Sequence, residues 1–290
     1  MELTRDIIRL IQGKLGFKGN DLDGLMGPGT EGAMEKFIKA RKEQVVERHF
    51  DRIMSGGRKR KATALGQLVC KEKEFEGIDA GVVDGLLGTQ SNNAFEELLY
   101  HVRFGRMPHP WRDHTNIPNP NNWPGDRQSA LNDFYGAPGR KGKDVPLKSI
   151  DLPYTHTLAW DLNVKVNRFS CHAKVADSME KVLTEVFEHY GEERIKELGL
   201  DLWGGCFNFR KKRGGSTLST HSWGIAVDYH PEMNRLRWGW NEAVFARPDY
   251  DFWWKAWEAE GWVGLGRVAN FDWMHIQACR TPRLIVEEST

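Results

Sequence analysis

The chain is poor in cysteine, lacks any long apolar run and carries no excess of charge of either sign. Its four cysteines, Cys70, Cys171, Cys206 and Cys279, show no paired spacing and fall within or beside expected elements, which argues against a disulfide framework. They read as reduced thiols acting as small buried hydrophobes. No segment approaches the roughly 20 apolar residues that cross a bilayer, so membrane insertion is not expected. The opening Met1-Glu-Leu-Thr-Arg-Asp6 lacks the basic and then apolar run of an export signal. With 41 Lys+Arg against 40 Asp+Glu, the net charge of +1 supplies no broad basic footprint for nucleic acid. One basic run, Arg58-Lys-Arg-Lys61, is short and free of aromatic neighbours, and it reads as a solvated linker.

At 290 residues there is chain enough for two or three cores. Proline and asparagine crowd the stretch from Met107 to Gly125, a composition that predicts a stiff, extended linker over 106–125. The region before it reads as helical. The region after it, 126–290, reads as α+β with a small antiparallel sheet. There the pattern predicts apolar segments near Leu158 to Val166, a helix from about Ala173 to Tyr190, a strand at Gly205, a helix near Asp249 to Glu260 and a closing strand at Ile276. Trp253 and Trp257, one helical turn apart, read as core.

The chemical signature lies in Ser219-Thr-His221-Ser-Trp-Gly224-Ile-Ala226-Val-Asp228, followed 51 residues after its histidine by Asp272-Trp-Met-His275. Two histidines and a carboxylate suit a catalytic zinc ion, because three protein ligands leave a fourth position for water. Read as one extended segment, His221 and Asp228 would fall on opposite faces, so a bend is required, and Gly224 has the backbone freedom to supply it. His230, just after Asp228, is an alternative ligand without a motif position. Trp273, between Asp272 and His275, reads as shaping a cleft.

This Ser-x-His-x-x-Gly-x-Ala-x-Asp pattern with its downstream Asp-x-x-His resembles the peptidase family of D-alanyl-D-alanine dipeptidases, VanY-type carboxypeptidases and phage L-alanyl-D-glutamate endopeptidases, from near Trp123 to near Ile285. The resemblance implies that His221, Asp228 and His275 bind one Zn2+ per chain and that Asp272 takes the place of the family's acidic base, often a glutamate. It further implies an arginine upstream of the metal motif that clamps the oxyanion. Arg210, after Gly205-Cys-Phe-Asn-Phe, fits that role, with Arg213 as runner-up. Ser219 matches the family's motif serine, which contacts substrate or orients a ligand. The segment Leu152 to Trp160 looks like the substrate-side part of the endopeptidase branch.

The amino-terminal region carries a repeat with a period of 61 residues, anchored on Asp-Gly-Leu-x-Gly. The first copy has Ile11-Gln12, then Asp23-Gly24-Leu-Met-Gly27-Pro-Gly-Thr30. The second has Asp84-Gly85-Leu-Leu-Gly88-Thr-Gln-Ser91. Each copy predicts a short helix, a glycine loop and a second helix capped at Thr30 or Ser91. Both resemble the three-helix peptidoglycan-binding module, which implies copies over 1–45 and 46–105 that bind wall through Asp23, Gly24, Gly27, Thr30, Asp84, Gly85 and Gly88.

Together these resemblances imply a modular phage endolysin, a zinc peptidase that cuts the peptide stem of peptidoglycan at the L-alanyl-D-glutamate bond. It would act as a monomer that accumulates in the host cytoplasm and reaches the wall after membrane permeabilisation. D-alanyl-D-alanine carboxypeptidase activity and a non-catalytic wall-binding or virion structural role are the alternatives.

Overall fold

The structure is a computed structural model that describes residues 2–75, 77–108, 117–213, 215–282 and 284. Among the described residues there are nine α-helices and one six-stranded mixed sheet, and no helix is long and apolar enough to cross a membrane. The chain divides into two compact units, residues 1–114 with 269–271, and residues 115–268 with 272–290.

The first unit is helical. Helix α1 (Arg5–Lys14) is capped by Thr4, whose hydroxyl accepts from the Ile7 amide, and it buries Ile7, Ile8 and Ile11 at helical spacing. Helices α2 (Pro28–Lys39), α3 (Glu47–Met54), α4 (Arg58–Val69) and α5 (Thr89–Phe104) follow. Every residue of α4 from Lys61 to Val69 is buried, so it is the central helix. The two sequence copies share one core: Ile7, Ile11 and Met34 pack in the same cluster as Leu65, Val69, Phe95 and Leu98.

The basic run expected to be a solvated linker instead forms the first turn of α4. Lys61 is buried, with its ammonium 2.8 Å from both Glu31 and Glu35, and Arg58 pairs with Glu31. Arg58 and Lys59 stay exposed, whereas apolar neighbours further along the helix draw Lys61 inside, where the two glutamates neutralise its charge.

The expected caps are also displaced by one turn. Gly27 and Gly88 cap α2 and α5, while Thr30 and Ser91 are the third residues of those helices and are buried. What the repeat encodes is a pair of matching polar loops. Gln12 donates to Asp23 Oδ1 and the Leu25 carbonyl and accepts from the Gly24 amide, and Asp23 Oδ1 also accepts from the Leu25 amide. In the second copy Gln67 donates to Asp84 Oδ1 and the Leu86 carbonyl and accepts from the Gly85 amide, with Asp84 Oδ1 accepting from Leu86. Gly24 and Gly85 have φ of 73° and 71°, and a side chain at Gly85 would meet the Arg60 carbonyl at 2.7 Å.

In the second unit, helix α6 (Gln128–Tyr135) leads to a long hairpin, β1 (Leu147–Leu158) and β2 (Asp161–His172). Helix α7 (Ala176–Leu198) crosses back to β3 (Leu202–Gly205), which runs parallel to β1. The rest of the sheet is β4 (Ala226–Tyr229), β5 (Val263–Gly264) and β6 (His275–Gln277), in the order β2-β1-β3-β4-β6-β5. One parallel pair makes the sheet mixed, where the sequence pattern predicted an antiparallel one. That pair exists because α7 returns the chain over the sheet, and such a crossover delivers a parallel strand. Helix α7 runs past the expected end at Tyr190 through a break at Gly191, whose φ is 68°. Helices α8 (Asp251–Ala259) and α9 (Leu265–Ala269) complete the unit. Trp253, Trp254, Trp257 and Trp262 are fully buried, as the helical spacing predicted for the first and third. All four cysteines are free and buried.

Of the stretch read as a linker, residues 109–116 lie outside the described residues, as does the carboxy-terminal limit of the resemblance at Ile285. Residues 117–125 pack into the second unit: Ile117 and Trp123 are buried, Trp123 meets the Trp262 ring edge-on, and Arg280 donates its amide to the Pro124 carbonyl. Two apolar anchors within seven positions outweigh the extended tendency of the prolines.

The segment Leu152 to Trp160 forms most of β1 and turns His156 into the interior. His156 is fully buried, with Nδ1 against the Tyr154 carbonyl and Nε2 2.8 Å from the Tyr229 hydroxyl. Burial pushes its pKa down to about 4 from an ordinary 6.5. The unfolded chain therefore takes up the proton first, and stability falls as the pH drops from about 6.5 to about 4, by up to ~3 kcal/mol. In His156→Gln that part of the slope should vanish from thermal melts across the window, whatever the starting stability.

Gln67→Ala should strip the second loop of its organiser and leave the Gly85 amide unpaired. A loss of about 1–3 kcal/mol in urea denaturation is expected, and an unchanged midpoint would refute the role.

Candidate metal centre

Sheet register and one tight turn assemble the centre. Asp228 on β4 is the Cα partner of His275 on β6, and Gly205 at the end of β3 is the partner of Asp228 on its other side. Directly paired residues present their side chains on the same face. His221 arrives differently. Residues Thr220–Trp223 form a 3-10 turn rather than the extended segment the alternation predicted, and Gly224 ends it with φ of 67°. The bend is where it was expected. A side chain at Gly224 would also meet the His172 amide at 3.0 Å, so backbone sign and close approach both select glycine.

His221, Asp228 and His275 bring one ligand atom each within 4.8 Å of one another. His221 Nε2 lies 3.2 Å from His275 Nδ1 and 3.3 Å from Asp228 Oδ1, and the third edge, His275 Nδ1 to Asp228 Oδ1, is 3.1 Å. Tetrahedral ligand atoms held about 2.0–2.1 Å from zinc stand about 3.3–3.4 Å apart, so the three edges fit such an ion.

The outer hydrogen bonds fix which nitrogens face the centre. His221 Nδ1 is 2.6 Å from the Cys206 carbonyl, which can only accept, so Nε2 presents its lone pair. His275 Nε2 is 3.2 Å from both Gln277 Oε1 and Thr220 Oγ1, so its Nδ1 lone pair faces inward. Three lone pairs thus meet at one point, an arrangement that a cation stabilises. Burial pushes the Asp228 carboxyl up, but His221 and His275 override it and hold it well below the ordinary carboxylate range. Burial lowers His275, yet the hydrogen bond and charge of Asp228 raise it above its ordinary value.

Asp272 sits beside this set. Its backbone is left-handed, with φ of 55°, its amide donates to the Leu236 carbonyl at 3.1 Å, and its carbonyl accepts from the His275 amide. Its Oδ1 is buried without a hydrogen-bond partner. Burial pushes the carboxyl up to about 6, reinforced by Asp228 and opposed by His275, His221 and Arg210. Arg210 is exposed, but its backbone is bound to the metal turn: Ser222 Oγ accepts from its amide and donates to its carbonyl, which also accepts from the Ser219 amide. Arg213 lies farther out on the same loop and is exposed.

Other expected site residues fall elsewhere. Trp273 is 1% exposed and packs edge-on against Trp254, so it builds core rather than cleft wall. His230 takes no part in the cluster; its ring lies against Gly199. Ser219 is buried just ahead of the turn. Asp23, Gly24, Gly27, Thr30, Asp84, Gly85 and Gly88 build the two loops and helix starts of the first unit. Thr220, Ser222 and Gln277 were missed, although Gln277 stands two residues from His275 on a strand and so shares its face.

Scans of protein-family models, curated proteins and solved structures found no match to this chain.

Removing an outer partner tests the centre. Gln277→Ala should weaken zinc binding by about 10–100-fold in chelator competition, while His275→Ala should abolish stoichiometric uptake. Equal affinity in wild type and both variants would disprove the ligand set.

Proposed function

We propose that the chain is a zinc-dependent peptidase that hydrolyses the peptide stem of peptidoglycan at the L-alanyl-D-glutamate bond. The observation that carries this reading is the meeting of three lone pairs beside a buried, unpartnered carboxylate oxygen. His221, Asp228 and His275 would hold the zinc ion, which would supply Lewis acidity and lower the pKa of a water toward about 7.

The chain's own groups then have distinct tasks. Asp272 takes the proton of the attacking water at Oδ1 and returns it to the leaving amine. Arg210, close enough for its charge to bear on Asp272, stabilises the negative charge that develops on the carbonyl oxygen. Ser219 is no nucleophile, because the nearest imidazole is committed to the metal set. The motif likeness supplies the bond assignment.

The first unit serves as the wall anchor in this reading. At the start of α2 lies a groove of about 650 Å³, lined by Lys14, Pro28, Gly29, Gly32, Lys36 and Phe37 among others. Lys36 supplies a cation for an anionic peptide there, while Lys14 is paired with Glu72 and Glu74.

The test is digestion of purified wall by zinc-loaded wild type and Asp272→Asn, with new amino termini labelled and identified by mass. Wild type should release D-glutamate amino termini. Asp272→Asn should keep its zinc and lose at least about 100-fold in rate. Release of free D-alanine would assign the carboxypeptidase reaction instead, and wall binding without any product would assign a non-catalytic role.

A further inference from the structure

Beside the candidate metal centre lies a second cavity of about 450 Å³ whose lining includes Arg213, Arg235, Arg237, Leu236, Trp238 and Met274. Its place in the fold ties it to the centre. Met274 directly precedes His275, and the Leu236 carbonyl accepts the amide of Asp272 at 3.1 Å. Three arginines are among its described lining residues, and no carboxylate is.

The loop that presents two of these arginines is internally fixed. Asn234 is fully buried, donates to the His230 carbonyl and accepts from the Phe245 amide, and Val244 donates its amide to the Met233 carbonyl. Arg235 is exposed, with Nε donating to the Glu232 carbonyl and its guanidinium 5.1 Å from the Trp238 ring centroid. Neither contact neutralises its charge. Elsewhere in this unit exposed arginines meet carboxylates, as Arg168 does Asp151 and Arg194 does Asp249. Guanidinium groups bind carboxylates in a defined, two-pronged geometry, so a cavity lined by arginines and by no carboxylate suits an acidic group.

We propose that this cavity is a carboxylate subsite that reads the acidic residue on the amine side of the cleaved bond. The proposal rests on the peptidase reading above. A D-glutamyl residue joined onward through one carboxyl keeps the other free, so cleavage ahead of it leaves that negative charge one residue from the reacting carbonyl. Arg235 acts as a specificity residue for the free carboxylate over its amide, with Arg213 and Arg237 adding to the field.

The experiment compares synthetic stem peptides that carry D-glutamate, D-isoglutamine, or D-glutamate with the next residue's carboxyl amidated. Wild type should favour the D-glutamate peptide over D-isoglutamine by at least about tenfold in kcat/KM, with the difference in KM. Arg235→Gln should bring that ratio close to one, and Arg235→Lys should restore part of it. Equal rates on the first two peptides in wild type, or a ratio untouched by Arg235→Gln, would overturn the subsite. A preference that follows only the next residue's carboxyl would overturn the glutamate assignment.

Calorimetric binding of the same peptides separates this proposal from the reading beneath it. If wild type cleaves none of them, tighter binding of the acidic peptide that Arg235→Gln abolishes would keep the subsite while the peptidase reading falls. Equal binding of acid and amide would remove both.

Discussion

Asp228 and His275 face one another across β4 and β6, and that register position governs the geometry of the metal centre. A slip of one residue would turn one of the two side chains to the other side of the sheet. The slip is opposed from both directions, because β4 is also bonded to β3 and β6 to β5. The third ligand depends on the same alignment. Gly205 is registered with Asp228, the next residue is Cys206, and the carbonyl of Cys206 orients the His221 ring. Sheet pairing thus sets two ligands directly and the tautomer of the third through one backbone acceptor.

A comparable economy organises the first unit. One buried glutamine in each copy satisfies both the amide of the loop glycine and the carbonyl of the following leucine, while an aspartate caps the same turn from its other side. Each loop fixes the entry to a helix that begins at glycine, α2 or α5, and those helices pack on the shared centre of α4. The repetition is at the level of loop chemistry. The core is joint, so the copies are halves of one packing problem.

The metal set was legible in the sequence because it rests on residue types at fixed separation, with a glycine where a bend was needed. The helix limits of α8 and the buried tryptophans were legible from apolar periodicity. What escaped had specific causes. Gln67 is the counterpart of Gln12, but it stands 17 residues before its aspartate instead of 11, so a search at the period of 61 passes over it. The buried state of Lys61 depends on Glu31 and Glu35 from another helix, and no local charge pattern shows that. Trp273 looked like a cleft residue from its neighbours in sequence, whereas the fold buries it against the Trp254 ring, a contact no local pattern shows. The seams of the basic cavity come from separated segments, near residues 213, 235 and 274, that only the fold brings together.

Asp272 shows how backbone and side chain are matched at such a site. Its φ of 55° lies in the left-handed region, where aspartate and asparagine are several-fold enriched over longer side chains. The family resemblance leads one to expect glutamate there, whose extra methylene would give more reach. In this chain a hydrogen bond from the Asp272 amide to the Leu236 carbonyl, and one from the His275 amide to the Asp272 carbonyl, hold the residue beside the ligand set. Aspartate is among the residue types that best tolerate this conformation. The same Leu236 belongs to the loop that carries Arg235 and Arg237, so one hydrogen bond ties Asp272 to a loop that Asn234 already holds in place. In the proposed reaction, the group that moves the proton and the groups that recognise the acid would therefore be placed together.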